Sequence, residues 1–376
     1  MSATGPVNGS RRGRDLGLDF PGDPGPLNAL TDVEGVLVGY RTLMSGDGSL
    51  VVGEGPVRTG VTAILPRGRA TEPVPVYAGS YALNGNGEMT GTHWIRDGGQ
   101  FLGPVCLTNT HSVGVAHHAS VRWMLDTYAD QFHSQHRWAM PVVAETYDGL
   151  LNDINGQHVT EADVRAALDN ASDGPLAEGN VGGGTGMVCY EFKGGTGTSS
   201  RRVLIDGQSY TVASLVQANY GQRSWLNILG VPVGQHLTAD RLLDQGEQGS
   251  IIVILATDAP MLPHQLQRVA KRGAIGISRC GSPGGNSSGD IFLAFSVANK
   301  AALSDSSAIH RQADYLQDDH FDPLYEASVQ ATEEAIVNAM LAAEDMTTLK
   351  SPAGAICRAL PQAELLDLMR QYGRIS

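Results

Sequence analysis

Charge and aromatic side chains are scarce in this 376-residue chain: Asp, Glu, Lys and Arg together make up 17% of it, and Phe, Trp and Tyr 6%. Hydrophobic residues reach 41%, so a disordered chain and a long coiled coil are both excluded. Basic residues are the scarcer sign, 26 against 39 acidic, and the net charge of −13 argues against a non-specific nucleic-acid or anionic-membrane surface. Neither nucleic acid nor membrane is expected as a partner. Much of the deficit is local, because residues 301–350 hold ten acidic side chains against Arg311 and Lys350 alone. A solvated helix face with its flanking loop is the expectation for such a run.

Cysteine is equally rare. Cys106, Cys189, Cys280 and Cys357 are widely spaced and form no CxxC or metal-ligand pattern, so buried, reduced thiols are expected. No apolar run reaches 18 residues, which excludes a membrane-spanning helix by length. The first 25 residues carry three arginines without an apolar stretch behind them, so neither a signal peptide nor a transit helix is expected. The resulting expectation is a cytoplasmic enzyme.

The common catalytic signatures are missing too. GGGTG (182–186) lacks a GKS/T ending, and neither it nor GGTG (194–197) completes GxGxxG, so a nucleotide loop is not supported. The close histidine pairs, His117–His118 and His133–His136, lack a third ligand at metal-site spacing, and no metal is expected. No GxSxG elbow occurs.

What the chain does have is glycine, 47 residues without a Gly-X-Y period, in the pattern of a loop-rich α/β protein. Its length allows two domains, although single large layered enzymes of this size are common. Residues 36–40, 49–55 and 60–66 read as short strands. Helices are predicted over 119–133, from Thr160 to about Leu168, over Pro263–Arg272 with Gly273 as a stop, from Asp322–Pro323 to about 342, and over Gln362–Tyr372. Between 180 and 216 a glycine-rich loop leads into hairpin-like segments. SIIVILATD (250–258) is the most apolar β-branched run and is predicted to be a central strand, with IFLAFSVAN, after the loop GSPGGNSSGD, as a neighbour.

The informative feature is GEQGS set directly against that strand. A serine after the least hindered residue can attack the carbonyl of Gly249, move the acyl group from nitrogen to oxygen, and release Ser250 as a new N-terminus on hydrolysis. A free α-amine, with an ordinary pKa of about 7.7 to 8.0, then serves as general base for its own hydroxyl, and no histidine is needed. The residues alone leave open the simpler alternative that Ser250 merely begins a strand.

Seven ordered segments resolve that alternative: LNALTDVEGVLVGY (27–40), LTNTHSVGV (107–115), VVAETYDG (142–149), EGNVGGGTGM (178–187), SLVQANYG (214–221), EQGSIIVILATDAP (247–260) and SRCGSPGGNSSGDIFLAFS (278–296). Together they resemble the DmpA family of L-aminopeptidase/D-Ala-esterase/amidases, which also contains the β-aminopeptidases, over nearly the whole chain. The resemblance implies one four-layer αββα sandwich, similar in layout to the N-terminal-nucleophile hydrolases but differently connected. It also implies self-cleavage of a single 1–376 domain between Gly249 and Ser250, giving an α chain (1–249) and a β chain (250–376) that stay associated.

By the same resemblance Ser250 is the nucleophile and its new amine the base, and Ser288 and Asp290 orient them. Asn219 and Tyr147 bind the oxyanion, Glu145 takes the substrate's ammonium group, and Trp138 walls the side-chain pocket. The implied activity is release of N-terminal residues, small L-residues first, from peptides, amides and esters, D-Ala amides and esters included. No cofactor is implied. The implied assembly is a tetramer of processed units.

β-Amino acid substrates remain open, although the β-aminopeptidase branch commonly carries glutamate where Asp290 stands. An acyltransferase resembling the ornithine acetyltransferases is disfavoured by Ser250, because those enzymes expose threonine, and by Glu145. A non-catalytic ligand-binding scaffold is the alternative from another class.

Overall fold

A computed structural model describes residues 11–134, 136–242, 249–300, 303 and 309–375. Ten strands build its two main sheets: β1 (Leu37–Ser45), β2 (Val57–Leu65), β3 (Val76–Ala82), β4 (Gln100–Phe101), β5 (Val105–Asn109), β6 (Val142–Thr146), β7 (Gly195–Ile205), β8 (Gln208–Asn219), β9 (Ser250–Thr257) and β10 (Gly289–Ser296). One sheet has the order β1-β2-β5-β6, the other β4-β3-β10-β9-β8-β7.

The period-2 alternation of the 250–257 run separates two cores. Ile252, Ile254 and Ala256 meet Val105, Leu107 and Ala144 of the facing sheet, while Ile251, Val253 and Leu255 point the other way, onto a helix layer. A strand buried on both faces must be apolar throughout. The predicted central strand is therefore central in both senses, inside its sheet and between two layers.

Helices α1 (Val113–Thr127) and α2 (Glu161–Asp169) cover the four-stranded sheet, and α3 (Pro263–Arg279) and α4 (Asp322–Leu341) cover the six-stranded one. The order helix, sheet, sheet, helix is the expected αββα sandwich. At α2 the predicted cap forms: the Asp163 amide donates to Thr160 Oγ1, and the Thr160 amide donates to Asp163 Oδ2 at 3.0 Å.

Several local expectations change. Residues 49–55 are a turn, since the Val51 amide closes onto the Gly55 carbonyl at 2.9 Å and both Val51 and Val52 face solvent; glycines at positive φ on both sides override the valines' β preference. Helix α1 begins at Val113 and ends at Thr127, with a separate short helix over Ala129–Ser134. Helix α3 runs through Gly273 to Arg279, because a Cβ at 273 would lie 2.3 Å from the Phe292 ring. That glycine lets helix and sheet approach each other.

The acidic run is corrected as well. Glu333 and Glu334 of α4 are buried, not solvated, and arginines brought from distant segments neutralise them: Arg279 for Glu333 at 3.3 Å, Arg201 and Arg14 for Glu334 at 2.6 and 3.0 Å. All four cysteines are buried and free.

Candidate active site

Ser250 is the first residue of β9 and buried. The antiparallel register with β8 sets Asn219 directly opposite it, and the parallel register with β10 sets Gly289 beside it and Asp290 beside Ile251. Residues far apart in sequence thus converge at one end of three adjacent strands. Such convergence at strand ends is what a rigid site requires.

Gly249 precedes the strand at a point of close contact. A Cβ there would lie 2.0 Å from the Asn219 carbonyl oxygen and 2.9 Å from Tyr220 Cα, a separation no side chain tolerates. The carbonyl of Gly249, the one a Ser250 hydroxyl would attack, accepts a bond from the Gly289 amide at 3.4 Å.

Ser288 and Asp290 form a buried pair. The Ser288 hydroxyl donates to Asp290 Oδ1 at 2.6 Å, and Asn84 Nδ2 donates to Asp290 Oδ2 at 3.3 Å while its own Oδ1 accepts from the Asp290 amide at 2.7 Å. Burial raises the Asp290 carboxyl above its ordinary pKa, and the bonds from Ser288, Asn84 and the Ile251 amide oppose that rise. Asn219 is held rigidly: its Oδ1 accepts from the Val188 amide at 2.8 Å and its Nδ2 donates to the Tyr147 carbonyl at 3.0 Å.

A cavity of about 460 Å³ opens onto Ser250 and Gly249 and is bordered by Glu145, Tyr147, Thr110 and Ser287. Glu145 is buried, and it accepts bonds from the Glu88 amide at 2.9 Å and from the Thr110 hydroxyl. Desolvation raises its pKa, with these two donors acting in the opposite direction. An ammonium group entering beside it would restore the solvation that burial removes. Tyr147 is partly exposed, and its Oη accepts a bond from Lys350 at 2.5 Å. Among the described residues no cluster of His, Cys, Asp and Glu could hold a metal ion.

The structure therefore brings together Ser250, Gly249, Asn219, Ser288, Asp290, Glu145 and Tyr147. Trp138 does not join them. It lines a second cavity, of about 320 Å³, with Trp94, Met140 and Arg311, stacks edge-to-face on His136 at 5.6 Å, and is 54% exposed. The expectation that it walls the Ser250 cavity differs from the structure, where Trp138 lies outside that cavity's lining and beside Gln100 and Phe101 instead.

Three contributors escaped the sequence reading. Asn84 sits in LNGNGE, which signals only a turn. Thr110 lies inside a segment that carries the family resemblance, but as a lone hydroxyl it has no chemical signature. Lys350 is a single basic residue after an acidic stretch.

Comparison with known proteins shows the family of the chain. Peptidase family S58 matches residues 28–353. The solved L-aminopeptidase D-Ala-esterase/amidase of Ochrobactrum anthropi, described as a prototype serine aminopeptidase and a new variant of the Ntn hydrolase fold, is 56% identical with a TM-score of 0.92, covering 97% of this chain and 99% of that one. A β-aminopeptidase of Burkholderia sp. is 46% identical with a TM-score of 0.87 over 96% of this chain and 99% of its own. The β-peptidyl aminopeptidase BapA of Sphingosinicella microcystinivorans is 50% identical across 100% of this chain and 94% of the relative. With a buried strand-leading serine, its aspartate-serine pair and a near-complete match to these hydrolases, the chain belongs to peptidase family S58.

Proposed function

We propose that the protein is a self-processing serine aminopeptidase that cuts itself between Gly249 and Ser250 and then releases N-terminal residues from peptides, amides and esters. The observation that carries this reading is the Gly249–Ser250 peptide, fixed at the head of β9 between Asn219 and the Ser288–Asp290 pair and facing a cavity that contains a buried carboxylate.

In the first stage Ser250 Oγ attacks the Gly249 carbonyl, the C–N bond of that peptide breaks, and water hydrolyses the resulting ester. The Ser250 nitrogen leaves as a free amine. In the second stage that amine takes the hydroxyl proton as Ser250 attacks the first carbonyl of a substrate whose ammonium group pairs with Glu145. Asn219 Nδ2 and the Tyr147 hydroxyl donate to the oxyanion, contacts of a kind worth about 2.7 to 4 kcal/mol each in the transition state. The leaving amine or alcohol departs with the proton, and water activated by the same α-amine frees the acyl residue. Ser288 and Asp290 hold the amine in one rotamer, as proton transfer demands.

Small L-residues and D-Ala amides and esters are the first substrate class, supported by the likeness to the Ochrobactrum enzyme. β-Amino-acyl substrates form the second, supported by the likeness to the two β-aminopeptidases. The expected assembly is a homo-oligomer of processed units, a tetramer.

The test is a denaturing gel with N-terminal sequencing. Freshly purified protein should give bands of about 26 and 13 kDa in proportion to its 39.7 kDa, the smaller beginning Ser-Ile-Ile-Val, and should turn over an alanyl p-nitroanilide. Ser250→Ala should give one band and no turnover. A wild-type chain that stays intact, or a Ser250→Ala variant that still cleaves, would sink the proposal.

A further inference from the structure

Among the described residues the cavity at Ser250 has an acidic but no lysine or arginine lining. Its described wall includes Glu88 and Glu145 and no lysine or arginine, so a carboxylate bound there has to be met by a cation from behind that wall. Lys350 reaches this wall through Tyr147. Lys350 follows the short strand Met346–Thr347, and the Leu349 and Lys350 amides both donate to the Leu150 carbonyl, at 2.8 and 3.4 Å, tying this loop to the chain just beyond Tyr147.

Lys350 Nζ donates to Tyr147 Oη at 2.5 Å and stands 5.1 Å from the ring centre. An ammonium group has three N–H donors, and only one is used by the phenol. Among the described residues no carboxylate forms an ion pair with Lys350. Because Tyr147 accepts from Lys350, its own proton stays available to a group at Ser250. Glu145 and Tyr147 both border the cavity, so a carboxylate and the Tyr147 hydroxyl that carries the Lys350 ammonium group belong to one wall.

We infer that Lys350 binds the free carboxylate of the residue leaving from a dipeptide, and so makes the enzyme favour dipeptides with a free C-terminus over their C-terminal amides. The inference rests on the aminopeptidase reading, in which Glu145 holds the other end of the substrate. It makes Lys350 a specificity-determining residue contributed by the chain segment after the cleavage site. A charge-assisted bond at a half-open rim is worth about three- to tenfold, less than at a buried site.

The experiment compares kcat/KM for L-Ala-L-Ala and L-Ala-L-Ala-amide in processed wild type, Lys350→Met and Lys350→Arg, with L-alaninamide as a substrate that has no peptide carboxylate. Wild type should prefer the free acid by about three- to tenfold, mainly through KM, and the preference should shrink in high salt. It should fall to about one in Lys350→Met and persist in Lys350→Arg. An acid-to-amide ratio that is the same in wild type and Lys350→Met, including equal losses on both dipeptides, overturns the inference and leaves Lys350 serving Tyr147 alone. If wild type hydrolyses L-alaninamide yet shows no preference for the free acid, the Lys350 inference fails and the aminopeptidase reading stands. If it hydrolyses none of the three, the aminopeptidase reading fails and this inference fails with it.

Discussion

No side chain fits at position 249. The 2.0 Å gap between a Cβ there and the Asn219 carbonyl means that Gly249→Ala must push β8 and the scissile peptide apart. We expect it to slow self-cleavage sharply and to lower stability by about 1 to 3 kcal/mol, seen as persistent full-length protein on a time-course gel and a lower Tm. Cleavage at the wild-type rate would mean that this contact plays no part in processing. Asp148, next to Tyr147, shows a different residue-level effect. Burial drives its carboxyl up to about 7 against bonds from Thr59, Asn152 and Asn109, and its Oδ2 is buried without a hydrogen-bond partner. The folded state therefore keeps a proton that the unfolded chain loses near pH 4, so Asp148 makes stability fall as pH rises from about 4 to about 7, and adds no further change above that. Asp148→Asn should flatten this stretch of the stability curve, measured as Tm from pH 4 to pH 8; an unchanged slope would assign the dependence elsewhere.

At the scale of elements, α4 is the helix whose sequence misleads. Its glutamates look like a solvated face, yet Glu334 is buried with Arg201, Arg14 and Asn28 around it. Burial alone would raise its pKa, but the two guanidinium groups hold it below the ordinary carboxylate value. Removing one member of a buried ion pair strands its partner's charge, so Glu334→Ala should cost about 3 to 5 kcal/mol, whereas Glu334→Leu with Arg201→Met should recover much of that loss. Denaturant unfolding of the single and double variants measures both. A single variant as stable as wild type would show that the network contributes nothing net. Helix α3 teaches a related lesson: Gly273, read as a stop, is an internal contact with Phe292, and tertiary packing outweighs its poor helix propensity.

At the scale of the whole molecule, the proposed cut would leave β9 and β10 as the middle of a sheet whose neighbours, β8 and β3, lie on the other side of residue 249. Separating the fragments would require unzipping two ladders and exposing both cores. After cleavage the two fragments should co-elute in native size-exclusion chromatography and separate only in denaturant. Separation without denaturant would mean that the ladders do not hold the cut chain together.

How much of this was legible beforehand follows from what each signal depends on. Alternating and continuous apolar runs depend on the chain alone, so the central strand at 250–257, hairpin segments within 180–216 and the capped helix from Thr160 could all be read directly. The Gly249–Ser250 junction and the ordered family segments likewise pointed to the proposed nucleophile, the aspartate-serine pair and the sandwich. Contacts between distant segments could not be read. The partners of Glu334, the approach that requires Gly273, the bond from Asn84 to Asp290, the separation of Trp138 from the Ser250 cavity and the meeting of Lys350 with Tyr147 all arise where the register of one strand or loop against another sets the distance. Local pattern determines which elements form and which face is apolar; only the packed structure decides which polar groups share a buried site, because burial and proximity are properties of the assembled layers.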